Sequence, residues 1–179
     1  MLLNIEIACE LTFPLFIRKL NRRLDFDSHD ISTSVKNIFE LSTAQSNTIS
    51  VYRVSNSKDI CLAVAALNGG RISDVQEMFF LQIQESEIHQ AGIQAVQADD
   101  KIPCMAAKNL HHNINICTQS ATNLLTTICN SGRAPIRVTR RNAESIKTHL
   151  IQQSCRSFKP HRENTNGSCT ECNLVYVPL

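Results

Sequence analysis

Apolar and polar positions alternate at the start of the chain, with Leu3, Ile5, Ile7 and Cys9 on one side and Asn4, Glu6, Ala8 and Glu10 on the other. A period of two predicts a half-buried strand, with a helix as the alternative. The pattern then lengthens. In "SHDISTSVKNIFEL", Ile31, Val35, Ile38 and Phe39 recur at helical spacing behind Ser and Asp residues that suit an N-cap, so a short helix is expected. "TISVYRV" returns to strict alternation of β-branched and aromatic residues and is bounded by the turn cluster "SNSKD", which predicts a strand.

The next segment, "KDICLAVAALNGG", predicts a short apolar helix closed at Asn68-Gly69-Gly70, where glycine takes the left-handed conformation. That double glycine reads as a cap and turn, since neither a Lys-Ser/Thr pair nor a third glycine follows to make a phosphate loop. "FFLQIQ" alternates as a strand and "ESEIHQAG" follows as a helix ended by Gly92, although one long helix from Ser73 is the competing pattern. "IQAVQ" alternates again before the turn "ADDKIP". "CTQSATNLLTTICNSG" predicts a helix with Leu124, Leu125 and Ile128 inward, "APIRVT" a strand, and "RNAESIKTHLIQQ" a helix. Strands and helices interleave, which predicts a single mixed domain of α/β or α+β class.

Length and composition narrow this further. At 179 residues the chain suits one core, expected over residues 1–153, with residues 154–179 as a basic tail containing Cys and His. The absence of Trp and only 7 Phe and 2 Tyr mean that Ile, Leu, Val and Ala must build most of that core. The apolar N-terminus has no basic start and is interrupted by Glu6 and Glu10, so it reads as part of the fold and not as an export signal. "CLAVAAL" is far shorter than the roughly 20 apolar residues of a membrane span. A cytoplasmic, soluble protein is expected, with its 8 cysteines reduced or bound to metal.

Charge is distributed unevenly. Residues 1–132 hold 10 Lys+Arg against 13 Asp+Glu (−3), and residues 133–179 hold 8 against 3 (+5), which reproduces the overall +2. Between 133 and 162 all eight basic residues face the single acid Glu144. Such a segment suits a polyanion, and Arg133, Arg137, Arg140, Arg141, Lys147 and Arg156 are the expected phosphate contacts to DNA or RNA, with no sequence readout implied. "RVTRRN" ahead of an amphipathic pattern would set Arg140 and Arg141 at a helix start, where free N–H groups also meet phosphate. Only Phe158 lies among these charges as a stacking surface. Arg18, Lys19, Arg22 and Arg23 form a second basic cluster, either an extension of this surface or the polar face of a terminal helix.

The tail "CRSFKPHRENTNGSCTEC" has the spacing C-x5-H-x7-C-x2-C, so Cys155, His161, Cys169 and Cys172 are the candidate ligands of a closed, tetrahedral zinc site. Competing readings are a Cys169/Cys172 redox pair, ordinary thiols on a tail, and a site completed by Cys9 or Cys129. The redox pair is disfavoured because a polar loop, not a strand leading into a helix, precedes it.

"PCMAAKNLHH" raises a cysteine nucleophile, Cys104, with His111 or His112 as base. On a helix, however, seven residues at 1.5 Å each separate the two by about 10 Å, and adjacent histidines diverge by about 100°. No H-E-x-x-H, G-x-S-x-G, G-x-G-x-x-G or P-loop pattern is present. The expectation is therefore a non-enzymatic nucleic-acid-binding protein. The alternatives are a protein-interaction or regulatory domain using an acidic middle (Asp74, Glu77, Glu85, Glu87) or the basic end, and a cysteine-dependent enzyme centred on Cys104.

Overall fold

In a computed structural model the protein is described over residues 13–20, 25–41, 46–67, 78–98 and 105–138. These segments form an α+β domain built on one six-stranded antiparallel sheet. In chain order the elements are β1 (Leu15–Leu20), α1 (Ile31–Phe39), β2 (Ser46–Val54), α2 (Ser57–Leu67), β3 (Phe79–Gln84), α3 (Glu85–Gln90), β4 (Ala95–Gln97), a 3-10 helix (Met105–Leu110), β5 (His111–Cys117), α4 (Thr118–Asn130) and β6 (Ile136–Arg137). The strand order is β4-β5-β2-β1-β3-β6.

The alternation read in "TISVYRV" is the alternation of β2 between two covered faces. Ile49 and Val51 point to a layer made by α1, α3 and α4, where Phe16, Leu81, Ile83, Ile114 and Ile116 join them in one buried cluster. Tyr52 and Val54 point to the other side, which α2 and the 3-10 helix cover. The strand therefore carries apolar residues on both faces. The helix α4 contributes Ala121, Leu124, Leu125 and Ile128 to the first layer, all 0% exposed. Each of its buried Leu and Ile side chains contributes about 1.5–3 kcal/mol over the exposed state.

Local chemistry sets the helix limits. Asp30 caps α1: its Oδ1 accepts from the Thr33 N–H at 3.0 Å and its Oδ2 from the Thr33 hydroxyl at 2.6 Å, and these bonds hold the carboxyl below its ordinary pKa. Glu40 ends α1 in the left-handed conformation (φ 57°), which is unfavourable for a side chain with a Cβ. It is held there by Arg18, whose Nη2 donates to its carboxylate at 2.8 Å. Gly92 (φ 70°) and Gly132 (φ 73°) turn the chain after α3 and α4 in the same conformation, which glycine takes without strain.

The expected helices at 31–39, 57–67, 85–90 and 118–130 are present, as are the strands in "TISVYRV", "FFLQIQ", "IQAVQ" and "APIRVT". One long helix from Ser73 is not formed, since residues 79–84 are the strand β3 and only 85–90 are helical. Two strands depart from the sequence reading. Arg18 and Lys19 lie in β1 next to the centre of the sheet, and not on a terminal helix. His111 and His112 begin β5, so they point to opposite faces instead of diverging around a helix. The expected strand at 2–9, the helix after Arg141 and the boundary near residue 153 lie outside the described residues.

Candidate functional site

The basic segment begins where the sheet ends. Following α4 and the turn at Gly132, the chain passes along the outer edge of β3 and enters the two-residue edge strand β6, whose Phe80↔Ile136 and Phe79↔Arg137 register is antiparallel. Pro135, next in that register, has no N–H to donate, which limits the pairing. Arg137 lies exposed on this edge. Arg140, Arg141, Lys147 and Arg156 follow outside the described residues.

Arg133 is placed differently from Arg137. Its guanidinium turns inward, donates from Nη2 to Glu87 Oε1 and from Nε to the Ser131 hydroxyl at 2.8 Å, and keeps only 17% of its side-chain surface exposed. Glu87 in turn is buried, and its Oε2 accepts the Gln84 N–H at 2.8 Å as the capping box of α3. The charge of Arg133 is thus already met within the fold, so this residue is withdrawn from the expected phosphate contacts. The acidic middle is engaged in the same way: Glu85 receives Arg53 side-on, Nε to Oε1 at 3.1 Å and Nη2 to Oε2 at 3.2 Å, while Asp74 and Glu77 lie outside the described residues.

The four tail residues Cys155, His161, Cys169 and Cys172 also lie outside the described residues, as do Cys9 and Cys104. Among the described residues, no three or more His, Cys, Asp or Glu side chains are grouped to hold a metal ion, and no helix is long and apolar enough to cross a membrane.

The histidine pair is split by the sheet. His111 is 4% exposed and stacks on Tyr52 with ring centroids 5.1 Å apart, a packed residue on the α2 side. His112 is on the opposite face, with its ring edge-on to Phe16 at 5.7 Å. Its Nδ1 is 2.9 Å from the Leu110 carbonyl oxygen. A carbonyl only accepts, so Nδ1 is the donor in that bond. His112, Phe16, Arg53, Glu85, Ile88, His89 and Ala95 line a cavity of about 160 Å³ between α3 and the sheet.

An exposed thiol that the sequence reading passed over sits at the other end of α3. Cys117 is exposed at the N-cap of α4, its backbone N–H bonded to Ser120 Oγ at 3.0 Å and its Sγ 3.3 Å from the same hydroxyl. The Ser120 side chain, then its backbone, holds the thiol below the ordinary value. Cys129 is half-buried, and burial followed by Asp27 pushes its thiol up. The sequence signal was C-x-x-S at a helix start, a capping box with sulfur in place of oxygen. Cys117 opens on a groove of about 370 Å³ whose other lining side chains include Ser46, Asn115, Gln119 and Asn123, with no histidine or carboxylate among the described lining residues to act as base. Iodoacetamide at neutral pH is expected to alkylate Cys117 on the order of tenfold faster than Cys129, read by peptide mass spectrometry. Equal rates would contradict the assignment.

No family model, no curated protein and no solved structure matches this chain.

Proposed function

We propose that the chain binds a polyanion, DNA or RNA, through the basic segment that leaves the sheet at β6, with Arg137, Arg140, Arg141, Lys147 and Arg156 as phosphate contacts. The observation that carries this reading is the excess of positive charge in the sequence of that segment. Between 134 and 162 seven basic residues face only Glu144, and the two acids of α3 beside this edge, Glu85 and Glu87, are already paired with Arg53 and Arg133. A segment with such an excess of cations attracts phosphate and releases its counterions. Both faces of the sheet are covered by helices, so stacking of bases on an open sheet is not part of the proposal. A Cys155/His161/Cys169/Cys172 zinc site, if formed, would fix the end of the same segment.

Fluorescence anisotropy with a labelled single-stranded oligonucleotide over a salt series tests it. Five phosphate contacts correspond to a slope of about −3.5 in log K against log salt on a single strand, roughly a hundredfold loss between 50 and 200 mM. Absent or salt-independent binding would remove the proposal.

A further inference from the structure

We propose that the cavity between α3 and the sheet binds a small organic monocarboxylate bearing a hydroxyl group. This goes beyond the polyanion reading and does not depend on it, since none of the cavity residues belongs to the basic segment.

Size sets the first limit. The space is a half-open cleft of about 160 Å³, near the roughly 150 Å³ that accepts benzene, and so suits a ligand of a few heavy atoms. The walls set the second. Phe16 and Ile88, each 1% exposed, and Ala95 give apolar lining suited to a short carbon skeleton, and Arg53, Glu85, His89 and His112 give the polar lining.

Those polar groups divide by role. Arg53 uses Nε and Nη2 to hold both oxygens of Glu85, which fixes the guanidinium plane and leaves the Nη1 edge without a hydrogen bond among the described residues. A planar fork of donors held in place matches a carboxylate more closely than it matches a point anion. His112 supplies the opposite need. With its Nδ1 proton donated to the Leu110 carbonyl, Nε2 of the uncharged tautomer is left to accept, and a ligand hydroxyl provides a donor. Glu85 completes the selection: with Arg53 it makes a neutral pair, so one ligand carboxylate can be shared by the guanidinium, whereas a dianion such as phosphate meets the Glu85 charge with no second fixed cation. His89 stands exposed at the rim.

Amide chemical shifts of the full chain, followed during titration with lactate, propionate, lactamide and inorganic phosphate, test this. Lactate is expected to give saturable shifts confined to the residues around Phe16, Arg53, Ile88, Ala95 and His112. Propionate, lacking the hydroxyl, and lactamide, lacking the charge, should each bind about tenfold more weakly. Arg53→Lys keeps the pairing charge for Glu85 but loses the fork, and should weaken lactate about tenfold. His112→Phe retains the aromatic packing on Phe16, and should equalise lactate and propionate. Each variant's spectrum away from the cavity reports whether it folds as the parent does. No saturable shift with lactate, shifts spread over the basic surface, tighter binding of phosphate than of lactate, or unchanged lactate binding in a folded Arg53→Lys protein would each overturn the proposal.

Discussion

Exchange of Glu87 for glutamine is expected to lower stability by about 3–5 kcal/mol, the cost of leaving one partner of a buried ion pair uncompensated. Glu87 is 7% exposed and its two oxygens do separate work, one accepting from Arg133 and one closing the capping box of α3. Glutamine keeps the shape and can keep the cap, but it removes the carboxylate that accepts from a guanidinium that is itself 17% exposed and whose Nη1 is buried with no partner among the described residues. The remaining cation then bears its desolvation alone. Arg133→Met is expected to destabilise by a similar amount for the mirror-image reason, leaving a buried carboxylate.

The double variant Glu87→Gln/Arg133→Met removes both charges and should lose clearly less than the sum of the single changes, because neither charge is then stranded. Urea unfolding of the four proteins measures the cycle, and the single variants should melt roughly 10 °C below the parent. Additive, small effects would mean that the pair is open to solvent. Arg133 would then return to the expected phosphate contacts.

Phe39→Ala should be as costly, about 3–5 kcal/mol, through lost burial and the cavity left behind. Phe39 closes α1 at 0% exposure inside the cluster shared by the sheet, α1, α3 and α4. Its carbonyl accepts from Asn47 Nδ2 at 3.1 Å, which ties the end of the helix to the start of β2. Neighbours cannot collapse easily into the space, since Ile38, Leu124 and Leu125 are already buried in rigid elements. The same assay on Val96→Ala, at 63% exposure on β4, should move stability by no more than about 0.5 kcal/mol. Comparable losses at the two positions would contradict the placement of the core.

Periodicity in the sequence located most of the elements because helices with one buried stripe and strands with a regular pleat leave a readable spacing. Ile31, Val35, Ile38 and Phe39 did so for α1, and Leu124, Leu125 and Ile128 for α4. The two strands that escaped did so for physical reasons. β1 lies next to the centre of the sheet and is buried on both faces through Leu15, Phe16 and Ile17, so it carries a continuous apolar run with no alternation, and the adjacent Arg18 and Lys19 resemble the polar side of a helix. β5, "HHNINIC", is short of β-branched residues, and only Ile114 and Ile116 mark its inward side. Misreading β5 also displaced the histidine argument, since a strand sends adjacent side chains to opposite faces.

Side-chain partners were less legible than elements. Nothing in the local pattern of "GRAPIRV" separates Arg133 from Arg137, because the distinction depends on Glu87, 46 residues earlier, arriving beside one and not the other. The cavity at His112 likewise gathers β1, β2, β4, β5 and α3, so no contiguous motif could announce it. Cys117 was nearer to hand, as a capping position recognisable once sulfur is admitted to it.

The central claim is that the basic residues from Arg137 onward meet phosphate while Arg133 does not, and one comparison of salt slopes tests it. Anisotropy titrations with the same labelled oligonucleotide would be run on the parent, Arg140→Glu/Arg141→Glu and Arg133→Met. Loss of two phosphate contacts should make the slope shallower by about 1.4 units in the first variant, while Arg133→Met, if measured well below its melting temperature, should keep the parental slope. A parental slope in the Arg140→Glu/Arg141→Glu protein, or a slope reduced by Arg133→Met alone, would contradict the account.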